Sequence, residues 1–294
     1  MSFELHFYQP ADQAPCSLQQ IKEVLLASEH VHFVAETTSY LFEYENQITG
    51  VCFWFCLAAT PYVDEEVRAF SGFRYTGLSF GVNYCRPSYF MYEANPILLR
   101  LVNQLQLYVF DPQADAASTV PFQPYSDELV RSWQAGNRRS SLKSPNRVTL
   151  SQEKAYSAWR YLYLYPHFKS SLSDQHFIPK LFFVRTKEGV KTSVVFPYPD
   201  VEHQLIPDVD YLYVKIPSKK WIFHRTVEGL VPFEQLRCLA PDAFSAVNEP
   251  IPHYLLVNPQ PVETVLLRCR RLGRSEYTIL ENGSFIDIDP PFTA

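Results

Sequence analysis

Glycine is scarce in this chain: nine occur in 294 residues, less than half the average usage of about 7%. Loops that cradle phosphate need backbone free of a Cβ. Neither G-x-G-x-x-G nor G-x-x-x-x-G-K-[ST] occurs, so no nucleotide cofactor is expected, and no other cofactor is indicated. Long apolar runs are missing as well. The most apolar stretch, Val51 to Ala59, is far shorter than the roughly 20 residues of a bilayer helix, so no membrane span is expected. Met1-Ser2-Phe3-Glu4-Leu5-His6-Phe7 lacks the basic start and apolar core of an export signal and alternates as a strand does.

A basic excess is also absent. Lys and Arg total 26 against 31 Asp and Glu, a net charge of −5. That argues against a general nucleic-acid binder, which needs a basic surface for phosphate, and suits a basic partner. Six cysteines, Cys16, Cys52, Cys56, Cys85, Cys238 and Cys269, lie scattered without a compact framework. In a chain without an export signal they read as thiols in a reducing cytosol, so a cytoplasmic location is expected. The eight histidines form no H-x-x-x-H and no H-E-x-x-H, and none stands out as a catalytic base.

Apolar and aromatic residues are plentiful, at 47% and 15% of the chain. That is enough to build a full core, and the length suits about two domains. Phe3, Leu5 and Phe7 alternate as a strand. Ser17-Leu18-Gln19-Gln20 has the form of a capping box opening a helix with Ile21, Val24 and Leu25 on one face. Strands are expected at His30 to Ala35, at Tyr40 to Tyr44 paired with Gly50 to Leu57, and at Leu78 to Tyr84. A helix follows Arg86-Pro87-Ser88, with Pro96 predicting a kink or break, and Leu107 to Phe110 is a last short strand.

This order predicts an α+β protein whose residues 1–112 form a two-layer α/β sandwich with both helices on one face of a mostly antiparallel sheet. Ferredoxin-like topology is one way to draw it. Residues 113–175 read as a linker and helical connector, with helices begun by Ser126-Asp127-Glu128 and Ser151-Gln152-Glu153 around a polar, basic stretch from Gly136 to Arg147. Residues 176–294 read as a β-rich domain. Its strands include Leu181 to Arg185 and Val190 to Phe196 around the turn Lys187-Glu188-Gly189, then Tyr211 to Ile216, Trp221 to Thr226, His253 to Val257 and Val262 to Cys269. Pro232 to Leu236 reads as one short helix. Tyr277 to Leu280 and Phe285 to Ile288 flank Asn282-Gly283, a pattern that predicts a type I′ hairpin.

Several patterns bear on chemistry. Gly77-Leu78-Ser79-Phe80-Gly81 satisfies G-x-S-x-G, which in α/β-hydrolases lifts a nucleophilic serine at a strand-to-helix bend. Here apolar alternation runs straight through it, so Ser79 reads as a strand residue. Cys52 and Cys56 share a strand face, as do His30 and His32, but zinc needs about four convergent ligands, and no metal is expected. Asp208 with Asp210, and Asp287 with Asp289, are paired carboxylates of the kind that hold Mg²⁺ for phosphoester chemistry. Solvated strand ends look the same. Arg138, Arg139 and Arg147 lie among serines, suited to anionic groups on a partner. Trp159-Arg160-Tyr161-Leu162-Tyr163 packs Trp159, Tyr161 and Tyr163 densely on one helix; such residues anchor protein interfaces, and packing between the two domains is the other, favoured sink for them.

Three functions stay open. A non-catalytic protein that binds another protein is favoured, with an inhibitory or sequestering role like that of bacterial immunity proteins as one form of it, and with Trp159, Tyr161, Tyr163, Arg138, Arg139 and Arg147 as its contact residues. A metal-dependent phosphoester hydrolase using the paired aspartates is the alternative, followed by a serine hydrolase using Ser79. Whether the chain is an enzyme is not decided by the sequence.

Overall fold

A computed structural model of the chain describes residues 1–59, 69–114, 120–143, 148–172, 176–197, 203–220, 223–266 and 268–287, apart from the side chains of 216–220, 223–227 and 263. Helices and sheets both contribute, so the class is α+β. Two compact units are distinguished, Met1–Arg147 and Val148–Ala294, and the segment 113–175 is divided between them.

The first unit runs β1 (Ser2–Pro10), α1 (Leu18–Leu25), β2 (Val31–Ala35), β3 (Ser39–Asn46), β4 (Val51–Ala58), β5 (Phe73–Asn83), α2 (Tyr89–Leu105), β6 (Tyr108–Phe110) and α3 (Glu128–Leu142). Its strands form one antiparallel sheet in the order β2-β3-β4-β5-β1-β6. Alternation puts Phe3, Leu5, Phe7, Phe53, Phe55, Leu78, Phe80 and Val82 in the core, all at most 2% exposed. Each such side chain contributes roughly 1.5–3 kcal/mol by leaving water. The α2 helix packs on α1 and over β4. Ser17 caps α1 as the capping box predicts, its Oγ accepting from the Gln20 amide at 3.3 Å.

Pro96 does not break α2, which is continuous over 17 residues. The proline is exposed, so its ring lies on the solvent side of the helix, where only the one intrahelical bond of its missing N–H is given up. Burial of Phe90, Met91, Ala94, Ile97, Leu98, Leu101 and Val102 on the other side outweighs the cost of about 3 kcal/mol. Glu93 is buried on that same helix and accepts from the Tyr44 hydroxyl at 2.6 Å and the Asn46 amide at 3.1 Å. This fastens α2 to β3.

The α3 helix continues through Gly136, where the sequence suggested a polar loop beginning. Two local features account for it. A Cβ at Gly136 would lie 2.4 Å from the Tyr84 hydroxyl oxygen, and the Tyr84 ring stacks beside Trp133 with centroids 6.4 Å apart. Asn137 accepts from the Cys85 amide at 2.6 Å and donates to the Arg86 carbonyl at 2.8 Å. The helix therefore docks on the turn that leads from β5 into α2.

The second unit runs β7 (Thr149–Leu150), α4 (Gln152–Leu172), β8 (Leu181–Thr186), β9 (Gly189–Phe196), β10 (Gln204–Pro207), β11 (Tyr211–Lys220), β12 (Phe223–Pro232), α5 (Phe233–Leu239), β13 (Phe244–Val247), β14 (His253–Leu256), α6 (Pro259–Leu266), β15 (Thr278–Leu280) and β16 (Ile286–Asp287). One sheet has the order β12-β11-β9-β8-β15, with only β11 and β9 parallel; a second is the antiparallel β10-β14-β13, and β16 pairs with β7.

Two sequence expectations are corrected here. Val262 to Leu266 is helical within α6, not a strand. Pro259 and Pro261 fall in its first turn, where a missing N–H costs nothing. Asn282-Gly283 makes a turn, with the Ser284 amide donating to the Glu281 carbonyl at 3.1 Å, yet no hairpin forms. Only Gly283 of the two has positive φ, whereas a type I′ turn requires both. β15 instead pairs with β8, and β16 with β7.

Three sheet borders are closed by single bridges: Val109 of β6 with Phe122, Gln204 of β10 with Phe177, and Leu230 of β12 with Leu272. At the last, Leu230 and Leu272 exchange backbone hydrogen bonds of 3.0 and 2.9 Å. A Cβ on the neighbouring Gly229 would lie 2.6 Å from the Leu272 carbonyl oxygen, an obstruction made of backbone rather than of a movable side chain. Gly229→Ala is therefore expected to destabilise the protein by roughly 1–3 kcal/mol, read as a lowered urea midpoint. An unchanged midpoint would show that the Leu272 segment yields freely.

Candidate functional site

The α4 helix has two aromatic faces. Ala155, Ala158, Tyr161, Leu162 and Phe168 are buried. Tyr161 donates to the Pro179 carbonyl at 2.5 Å and stacks on Phe168, centroids 5.7 Å apart. Burial raises its phenol far above the usual tyrosine range. Tyr161 is thus a core residue of the second unit.

The opposite face carries Tyr156, Trp159 and Tyr163, at the i, i+3, i+7 spacing that lines up side chains on a helix. Their rings follow one another, with centroid separations of 5.6 Å from Tyr156 to Trp159 and 5.5 Å from Trp159 to Tyr163. Tyr156 is 45% and Tyr163 54% exposed. Arg160 lies beside the row, its guanidinium 6.0 Å from the Tyr156 ring and donating to the Pro250 carbonyl at 3.0 Å. An amphipathic row of this kind offers broad apolar contact with few rotatable bonds to freeze. Trp159 and Tyr163 stand out in the sequence by ring density alone, whereas Tyr156 is signalled only by its place three residues before Trp159.

Arg138 and Arg139 are exposed on α3, in the first unit, and Arg147 lies outside the described residues. Arg131 on the same helix pairs with Asp127 at 3.4 Å with both side chains more than half exposed, worth well under about 1 kcal/mol.

The other candidate groups are placed as follows. Ser79 lies within β5, opposite His6 of β1 and Cys56 of β4, and donates to the Cys56 carbonyl at 3.4 Å. Asp210 is held on all sides: one oxygen accepts from the Thr192 amide at 2.9 Å and hydroxyl at 3.0 Å, and the other meets the Lys154 ammonium. That carboxylate ties the start of β11 to β9 and α4. Asp208 is exposed, Asp287 is buried in β16, and Asp289 lies outside the described residues. Cys52 is exposed and Cys56 partly so. Among the described residues, no three His, Cys, Asp or Glu side chains are grouped to hold a metal ion, and no helix is long and apolar enough to cross a membrane.

Three histidines approach one another beyond the end of α4. The His176 and His203 rings are 5.8 Å apart, and buried His253 donates from Nδ1 to the Ile251 carbonyl at 2.8 Å. Burial first, then the proximity of His203 and His253, lowers the affinity of His176 for a proton. The unfolded chain therefore binds more protons as pH falls through the ordinary histidine range near 6.5, and stability present above that range is lost below it. His176→Gln should flatten the dependence of the melting temperature on pH between roughly 7.5 and 5.5. An unaltered slope would place the titration elsewhere. Comparison with protein-family models, curated proteins and solved structures finds no match to this chain.

Proposed function

We propose that the chain is a non-catalytic protein that acts by binding another protein, and that the row Tyr156, Trp159 and Tyr163 on α4 is its contact surface. The observation that carries this reading is the pair of half-exposed tyrosines flanking Trp159. Rings left in water on a helix whose other face is fully packed gain free energy only when a partner covers them. The partner is basic, in keeping with the net charge of −5, and the complex restrains the partner as an immunity protein does. The setting is a reducing cytosol, which the six unpaired cysteines favour. We read the first unit as a ferredoxin-like sandwich extended by a hairpin. The run β6-β1-β5-β4 with α1 and α2 as crossovers has the antiparallel order of that topology, and β2-β3 adds to its border.

Affinity capture from the native host, comparing the wild-type chain with Trp159→Ala/Tyr163→Ala, tests the proposal. One stoichiometric protein is expected with the wild type. Interface anchors of this type cost about 2 kcal/mol each when truncated, so its affinity should fall by at least roughly tenfold in the variant. A partner kept by the variant would move the surface away from α4, and the absence of any partner would remove the binding reading.

A further inference from the structure

The three-stranded sheet β10-β14-β13 has two unlike borders. On the β10 side the bridge to Phe177 closes the ladder, with the Phe177 amide donating to the His203 carbonyl at 3.0 Å and the Leu205 amide donating to the Phe177 carbonyl at 3.1 Å. All four residues of β10 are buried. On the β13 side no backbone meets the strand among the described residues, and Ser245 and Ala246 are exposed. Alternate N–H and C=O groups of such a border face outward, ready to pair with another extended chain.

A groove of about 350 Å³ lies along this border, within the range of roughly 300–1,000 Å³ typical of binding sites. Its walls are Glu234, Arg237 and Cys238 of α5, Pro241, then Phe244 and Ala246 of β13, and Tyr254 of β14. Phe244 and Ala246 are two apart and share a strand face, and Tyr254 stands opposite Ala246 on that same face. A strand added to β13 would turn every second side chain toward this groove.

The lining also states what enters. Arg237 is already engaged: its Nε donates to Glu234 at 3.0 Å, and another guanidinium nitrogen donates to the Tyr254 hydroxyl. The guanidinium lies over the rings of Tyr254, at 4.7 Å, and Phe233, at 5.8 Å. With its charge matched by Glu234 and three of its five N–H groups in use, Arg237 presents chiefly its flat guanidinium face to the groove. The space between it and Phe244 suits an apolar side chain.

We propose that β13 is a strand-addition site: an extended segment of a partner protein pairs its backbone with β13 and seats an apolar side chain between Arg237 and Phe244. The mode is the one in which main-chain hydrogen bonds give affinity and pockets for alternate side chains give specificity. It concerns a different surface from the α4 row and stands or falls separately.

Selection of a phage-displayed library of random dodecapeptides on the full chain supplies the probe. An enriched peptide is then synthesised with single backbone N-methyl groups at each position. Strand addition predicts losses of at least tenfold that recur at every second residue. It also predicts a similar loss with Ala246→Trp, which fills the groove from an exposed position, and no loss with Trp159→Ala. The N-methyl series reads the wild-type protein, so the test survives if Ala246→Trp does not fold. Failure to enrich any peptide overturns the proposal, as does a series without the two-residue period. Self-association of the chain that Ala246→Trp abolishes would overturn the committed occupant in favour of a second copy.

Discussion

A sheet ends where its last strand finds no further partner, and the hydrogen-bonding groups on that border must then meet water or some other part of the chain. Short strands between many prolines give this protein several such borders. Phe122, Phe177 and Leu272 each close one with a single residue. Much else follows from those closures. β10, paired with β14 on one side and bridged by Phe177 on the other, is buried along its whole length. Leu272 can approach β12 only because position 229 lacks a Cβ, which is one reason a chain so poor in glycine keeps one there.

Polar groups inside the protein serve the same end of joining elements distant in sequence. Asp210 links β11 to Thr192 and Lys154, and Asn137 links α3 to the backbone at Cys85 and Arg86. Asn137 meets backbone groups alone, while Asp210 adds an ion pair with Lys154 to its bonds from Thr192, so the burial of each is compensated by hydrogen bonds within its own unit. Carboxylates and amides that look like candidate chemistry along the sequence are in this way taken up by assembly.

Periodicity made much of the first unit legible. Leu78, Phe80 and Val82 face a core and their neighbours do not, so alternation survives in the sequence. Capping residues did the same for α1, where Ser17 and Gln20 meet as expected. What escaped depended on partners. Asn282 and Gly283 specify a turn, but nothing local says that β15 will choose β8 over its neighbour in sequence. Pro96 signals a break, while the burial that overrides it is spread over the rest of α2. On α4 the density of rings was visible, yet only packing shows that Tyr161 turns inward while Tyr156 and Tyr163 turn out. The groove beside β13 joins residues 234 to 254 from a helix and two strands, and no spacing rule connects them.

Glu93 has a consequence for how sequences of this fold can change. Tyr44 and Asn46 both donate to one of its oxygens, so the three residues act as one energetic unit. Loss of either donor leaves a buried acceptor short of a bond, and loss of the carboxyl leaves two donors without theirs. Substitutions among them will not add, and a second change can cost less than the first. Such a trio drifts reluctantly one residue at a time, but it can be exchanged whole for apolar side chains of matching shape.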